Sequence, residues 1–218
     1  MDRPGLSRDR IIEAAAGVAD RGGIAGVSMR NVGAELGVEA MSLYHHLSGK
    51  DDLVDGLADW VIALIQVPRP GLPWRSEMVL RAESARVALS AHPWGLGLIE
   101  SRRAAGEALL RHHDAVLGCL REGGFSVALA AHAFSALDSY IYGFVLTEVN
   151  LPFESGESAE DFVAGLSMPV QHYPYLAEML TEQVVAKEYA YADEFTYGLN
   201  LILDALAVQL TVSGVGEE

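Results

Sequence analysis

The chain has 218 residues, half of them hydrophobic and 21% charged, with a net charge of −15. This composition excludes a disordered tail and suits one large domain or a small domain joined to a larger one. No run reaches about 18 consecutive apolar residues, Met1-Asp2-Arg3-Pro4 lacks the apolar core of a secretory signal, and Cys119 has no second cysteine to pair with, so a cytoplasmic protein without a membrane span or internal disulfide is expected.

Taken in chain order, almost every segment reads as helix. Residues 7–21 place Ile11, Ala14, Ala15, Val18 and Ala19 at helical spacing, with Ser7 as N-cap and Gly22-Gly23 as the stop. Ser28 caps a second helix with Met29, Val32 and Leu36 on its inner face, and Gly37 ends it. A turn at Val38-Glu39 leads to a short third helix from about Ala40 to His46. A fourth, about 50–66, carries Leu53, Leu57, Val61 and Leu64 on one face. The segment Val67-Pro68-Arg69-Pro70-Gly71-Leu72-Pro73 is the clearest breaker. Helices are predicted again at about 74–90, 95–101, 104–122 and 126–149. A loop is predicted over 150–171 on its Pro, Gly and acidic content, and helices at about 174–188 and 193–212. The expected fold class is all-α. Residues 1–50 form a helix-turn-helix domain, helix four connects, and residues 51–218 form a larger helical domain.

The segment 27–47 carries the chemistry. A helix-turn-helix needs a small residue where its two helices cross, which Gly33 and Ala34 supply, and a turn residue that tolerates positive φ, which Gly37 supplies. Its second helix needs few inward apolar positions (Val38, Leu43 and Leu47) and an outer face of small or polar groups (Ala40, Met41, Ser42 and His45). Such a helix enters the major groove, where Ala40 and Met41 suit a thymine methyl and the Ser42 hydroxyl suits a base or phosphate. Ser28, Arg30, Tyr44, His45 and Lys50 are assigned to the groove edge and the phosphate backbone. The charge distribution permits this partner. Residues 1–50 balance six basic against six acidic groups, and the other 168 residues hold nine basic and 24 acidic.

On these residues the N-terminal part resembles the DNA-binding domain of the tetracycline-repressor (TetR) family. The resemblance runs through Ile11-Ile12-Glu13-Ala14-Ala15, Gly22-Gly23, Ser28-Met29-Arg30, Leu36-Gly37-Val38, Ser42-Leu43-Tyr44-His45-His46-Leu47 and Gly49-Lys50-Asp51-Asp52-Leu53. Leu47 stands where the family commonly has phenylalanine. The body resembles the family's C-terminal domain at Ala91-His92-Pro93-Trp94-Gly95, Leu120–Ser126 and Tyr142-Gly143-Phe144-Val145-Leu146.

The resemblance implies a repressor that binds palindromic double-stranded operator DNA as a homodimer and is released by a small-molecule effector. The dimer would form through the helices at about 126–149 and 193–212, which are more apolar than a one-sided surface helix requires. The histidine and glutamate that hold the drug's magnesium in tetracycline repressors fall on Ile99 and Thr147, so no metal, and no other cofactor, is expected. Candidate effector contacts are Gln66, Trp94, Leu98, Arg102, Phe134, Asp138, Tyr142 and His172, facing an apolar or aromatic compound.

Enzyme readings lack their motifs. No Glu-x-x-His pair or paired cysteines are present, and Gly95-Leu96-Gly97 lacks the third glycine and preceding strand of a dinucleotide site. The remaining alternative is a helical adaptor that binds a protein partner and no DNA.

Overall fold

A computed structural model describes residues 5–101, 106–151, 159–166, 168–185 and 189–214. Among the described residues no strand occurs. The head begins with α1 (Arg8–Gly22), where the Ser7 hydroxyl accepts from the Arg10 N–H, and ends that helix at Gly23 with φ +65°. Next come a 3₁₀ turn (Ile24–Gly26) and α2 (Met29–Leu36), whose Asn31 N–H donates to the Ser28 hydroxyl at 3.2 Å. These caps satisfy backbone donors that no intrahelical carbonyl can reach. Gly37, at φ +68° and ψ 34°, turns the chain left-handed, and the Val38 N–H returns to the Gly33 carbonyl at 2.9 Å.

Helix α3 is shorter than expected, Ala40–Leu43. Its predicted last turn is closed instead by the His46 and Leu47 N–H groups, both donating to the Leu43 carbonyl. Helix α4 (Lys50–Ala63) ends three residues early because the Ile65 N–H closes a tighter turn on the Ile62 carbonyl.

The head's core consists of Ile11, Ile12, Ala15, Ala16 and Ala19 of α1, Val27 just before α2, Met29 and Val32 of α2, Leu43 and Leu47, Leu53, Leu57 and Ala58 of α4, and Leu98. Each large side chain buried there contributes roughly 1.5–3 kcal/mol before ordering costs. Helix α4 continues beyond this core: Ile62, and Ile65 just after the helix, belong to the body's core.

The body contains α5 (Trp74–Ala91), α6 (Trp94–Ser101), α7 (Glu107–Glu122), α8 (Val127–Glu148) and α11 (Tyr191–Gly214). The proline-rich connection before α5 is pinned by buried Glu77, whose carboxylate accepts from the Arg69 backbone N–H at 2.9 Å and its guanidinium at 2.7 Å. Helices α8 and α11 approach closely at Gly198, where a Cβ would lie 2.4 Å from the Tyr140 hydroxyl oxygen. That hydroxyl donates to the Phe195 carbonyl at 3.0 Å.

Two expectations about the C-terminal half are corrected. The loop predicted over 150–171 contains α9 (Ala159–Gly165) and a 3₁₀ turn (Val170–His172), a local helical run that the flanking Pro and Gly residues obscure. Of the helix predicted over 174–188, the described part is α10 (Pro174–Met179) followed by a π turn (Leu180–Val185), and 186–188 lie outside the described residues.

Helices α8 and α11 are long and apolar enough to be compared with membrane spans, yet only 33% and 22% of their apolar windows are buried within the chain. On α11, Tyr197, Leu201, Val208 and Val212 are each more than half exposed and recur every three to seven residues along one face.

Candidate functional site

Two sites can be built from these elements. The first is the outer surface of α3. Gly33 makes it possible: a Cβ on Gly33 would lie 2.9 Å from the Val38 carbonyl oxygen and 3.3 Å from the Ala40 Cα, so only glycine lets the second helix start this close to the first. Buried Leu43 and Leu47 anchor the inner side, which leaves Met41 72% exposed and Tyr44 49% exposed. His45 is exposed, and Ala40 and Ser42 are half-buried. The Ser28 oxygen accepts the cap bond, so its hydroxyl proton remains available to donate.

The cations sort by pairing. Arg8 is paired with Asp52 at 2.7 Å and Arg21 with Glu35 at 2.6 Å. Arg30 and Lys50, both exposed and flanking α3 in the chain, have no ion pair among the described residues. The same pairing orders the start of α4. The Asp52 carboxylate accepts from the Ser48 N–H at 2.9 Å and from Arg8, and these bonds hold its pKa below the usual carboxylate value, the Ser48 N–H contributing most.

The second site is a partly open cavity of about 750 Å³ between α6, α7 and α8. Helix α6 contributes Leu96, Gly97 and Ile99; α7 contributes Leu109 and His113. Helix α8 contributes Phe134, Ser135, Asp138, Ser139, Tyr142, Gly143 and Leu146. A volume of this order accommodates a drug-sized molecule. The His113 ring meets Phe134 edge-on at 4.8 Å between centroids. Neither Gly97 nor Gly143 would bring a Cβ within 4 Å of another atom, so both positions open onto free space.

Behind the wall lies a buried polar cluster. The Arg81 guanidinium, 2% exposed, donates through Nε to His112 Nε2 at 2.9 Å and forms an ion pair with Asp138 Oδ1. Because His112 accepts at Nε2, its proton sits on Nδ1, and that buried atom has no protein partner. Burial, the Arg81 charge and the neighbouring His113 push the His112 pKa down to about 3. Burial, helped by Arg81, also lowers His113. Both imidazoles are therefore neutral near pH 7.

The sign of this shift sets a pH dependence. Below about 6.5 the unfolded chain takes up a proton at His112 that the native state refuses until about pH 3. Stability is expected to fall as pH drops from about 6.5, and His112→Gln, which keeps an acceptor but does not titrate, should flatten the decline. Melting temperatures between pH 7.5 and about 5 check this; equal slopes for both proteins would refute it.

The structure brings together three of the eight effector candidates, Phe134, Asp138 and Tyr142, on one face of α8. The others lie elsewhere. Leu98 is 7% exposed and sits in the head's core, on the side of α6 away from Ile99. Trp94 donates through Nε1 to Asp20 Oδ1 of α1 at 2.7 Å and stacks on Trp60. Gln66 gives its backbone N–H to the Ser84 hydroxyl, and His172 is exposed in its 3₁₀ turn. Arg102 falls outside the described residues. Leu96, Gly97, Leu109, His113, Ser135, Ser139, Gly143 and Leu146 were not singled out as site residues from the sequence, and Ile99 only as standing at a metal ligand's position. On α8 the i, i+4 pairs Ser135–Ser139, Asp138–Tyr142, Ser139–Gly143 and Tyr142–Leu146 would have extended the list.

Residues 11–57 match the family "Bacterial regulatory proteins, tetR family", and residues 67–210 match the "Tetracyclin repressor-like, C-terminal domain". The chain belongs to the TetR family. It is 32% identical over 206 residues to the tetracycline repressor protein class A from transposon 1721 of Escherichia coli, covering 93% of this chain and 91% of that protein. A second relative, an HTH-type transcriptional regulator of Saccharopolyspora erythraea, is 34% identical over 147 residues, 67% of this chain and 62% of that one. Among solved structures, apo ActR from Streptomyces coelicolor superposes with a TM-score of 0.77 at 25% identity, over 97% of this chain and 100% of that one. ActR in complex with actinorhodin gives 0.75 at 25% identity, over 99% of each chain. As a TetR-family protein the chain is a helix-turn-helix, DNA-binding regulator of transcription, and members of this family act as dimers.

Proposed function

We propose that the chain is a cytoplasmic repressor, without catalytic activity, that a small molecule in the α6–α7–α8 cavity releases from a palindromic operator. The observation that carries this reading is the double use of α6. Leu96, Gly97 and Ile99 form the cavity wall, while Leu98 is buried in the head's core and Trp94 is bonded to α1 through Asp20. A ligand that moves α6 by the width of a side chain must therefore move the head or break its packing. The exposed apolar faces of α8 and α11 are where a second copy packs, placing two α3 helices on half-sites about one helical turn apart. The crystal structure of ActR in complex with actinorhodin supports a small-molecule ligand for this fold.

Within the head, Met41, Ser42 and Ala40 read bases, while Ser28, Arg30, Tyr44, His45 and Lys50 hold the backbone. Lys50→Ala should lower affinity for every duplex and reduce the slope of log K against log salt by about one unit. Tyr44→Ala should weaken all operators similarly, and Ser42→Ala should change which operator is preferred, by about 1–3 kcal/mol at one base position. Fluorescence anisotropy titrations on a panel of duplexes check this. An unchanged salt slope in Lys50→Ala would remove that residue from the interface.

A further inference from the structure

The cavity wall is polar along one strip. His113, Ser135, Asp138 and Ser139 face a surface otherwise made of Leu96, Ile99, Leu109, Phe134, Tyr142 and Leu146. Among the described lining residues Asp138 is the one carboxylate and none is a lysine or arginine. Asp138 is held from behind. Its Oδ1 is paired with the buried Arg81, which fixes the carboxylate against the wall, and Oδ2 accepts from no protein donor among the described residues. The Asp138 side chain is 13% exposed and lines the cavity, so a ligand donor at Oδ2 takes the place of water there. His113, neutral because burial lowers its pKa, supplies no cation for an incoming anion.

We propose that Asp138 selects the ligand: the cavity takes a flat, multi-ring apolar molecule that presents a hydroxyl or protonated amine to Asp138, and it rejects the corresponding acid. This rests on reading the cavity as the effector site. A donor placed at Oδ2 makes a charge-assisted hydrogen bond, and the ligand's own rings exclude water from it. A carboxylate placed there offers Oδ2 no proton, sets two acceptors face to face while Arg81 is already committed to Oδ1 and His112, and pays its own desolvation. The apolar strips on α6 and α8, with Phe134 and Tyr142, cover the ring faces.

The test uses three fluorescent probes on one frame, anthracenemethanol, aminomethylanthracene and anthracenecarboxylate, titrated against the full-length protein at pH 7.5. The alcohol or the amine is expected to bind at least about tenfold more tightly than the carboxylate. A tighter amine identifies an ammonium ligand and a tighter alcohol a hydroxylated one. Asp138→Asn should shrink the gap. Because that variant leaves Arg81 buried without its partner, the double variant Arg81→Met, Asp138→Asn, which buries no unpaired charge, repeats the comparison. Gly143→Phe, which fills the cavity, should abolish binding, and its melting temperature reports its fold. Carboxylate binding as tight as the others, lost in Gly143→Phe, overturns the ligand class and leaves the cavity as the effector site. Binding that survives Gly143→Phe, or no binding by any probe, overturns both.

Discussion

Replacing Arg81 with methionine is expected to destabilise the protein by about 3–5 kcal/mol, the range for leaving one member of a buried ion pair without its partner. For a chain of this size that corresponds to a fall of roughly 10 °C in melting temperature. The guanidinium is 2% exposed and ties three helices together: it sits on α5, pairs with Asp138 of α8 and donates to His112 of α7. It also lies 6.0 Å from the centre of the Phe134 ring. Its removal leaves the Asp138 carboxylate without a counter-charge and the buried His112 Nε2 without a donor. Adding Asp138→Leu should recover most of the loss, because two removed charges cost less than one orphaned charge. Thermal melts of the single and double variants measure this. A double variant no more stable than Arg81→Met would show that Arg81 acts through packing and not through the pair.

A second large effect is expected at Gly33. Alanine there must displace the Val38 carbonyl or the start of α3, both backbone, because its Cβ would come within 2.9 Å of that oxygen. Overpacking of this kind costs about 1–3 kcal/mol. The functional loss should exceed the stability loss, since the group displaced is the helix that meets DNA. Operator affinity should fall at least about tenfold, the effect of roughly 1.4 kcal/mol, while Ala34→Ser at the exposed neighbouring position changes little. Anisotropy titration and thermal melts of both variants test it. Unaltered DNA binding by Gly33→Ala would mean that the α2–α3 contact does not set the reading geometry.

The head was legible in the sequence because its structure is determined by short-range chemistry. Ser28 as a cap, Gly37 as a left-handed turn and Leu43 as an inward anchor are each decided within a few residues. The candidates Phe134, Asp138 and Tyr142 were legible for the same reason, since a spacing of four keeps them on one face of α8. The rest of the cavity was not. Leu109 and His113 reach it only because α7 packs beside α8. Leu98 and Ile99, adjacent in sequence, are directed to different cores by the way α6 is wedged between head and body. Trp94 was a candidate effector contact, but Asp20, 74 residues away in the chain, holds its indole N–H. Pairing also separates Arg30 and Lys50 from Arg8 and Arg21, a distinction that composition hides because it depends on which acidic groups fold beside which bases.

The central claim, that two copies of this chain read an operator through α3, is tested most directly by selecting random DNA duplexes with the purified protein at moderate salt, beside a Tyr44→Ala, Lys50→Ala control. Enrichment of a palindrome whose half-sites lie about one helical turn apart is expected, and its loss in the control. A folded, dimeric protein that enriches no sequence, or enriches the same sequence in the control, would contradict it and favour a helical adaptor whose partner is another protein.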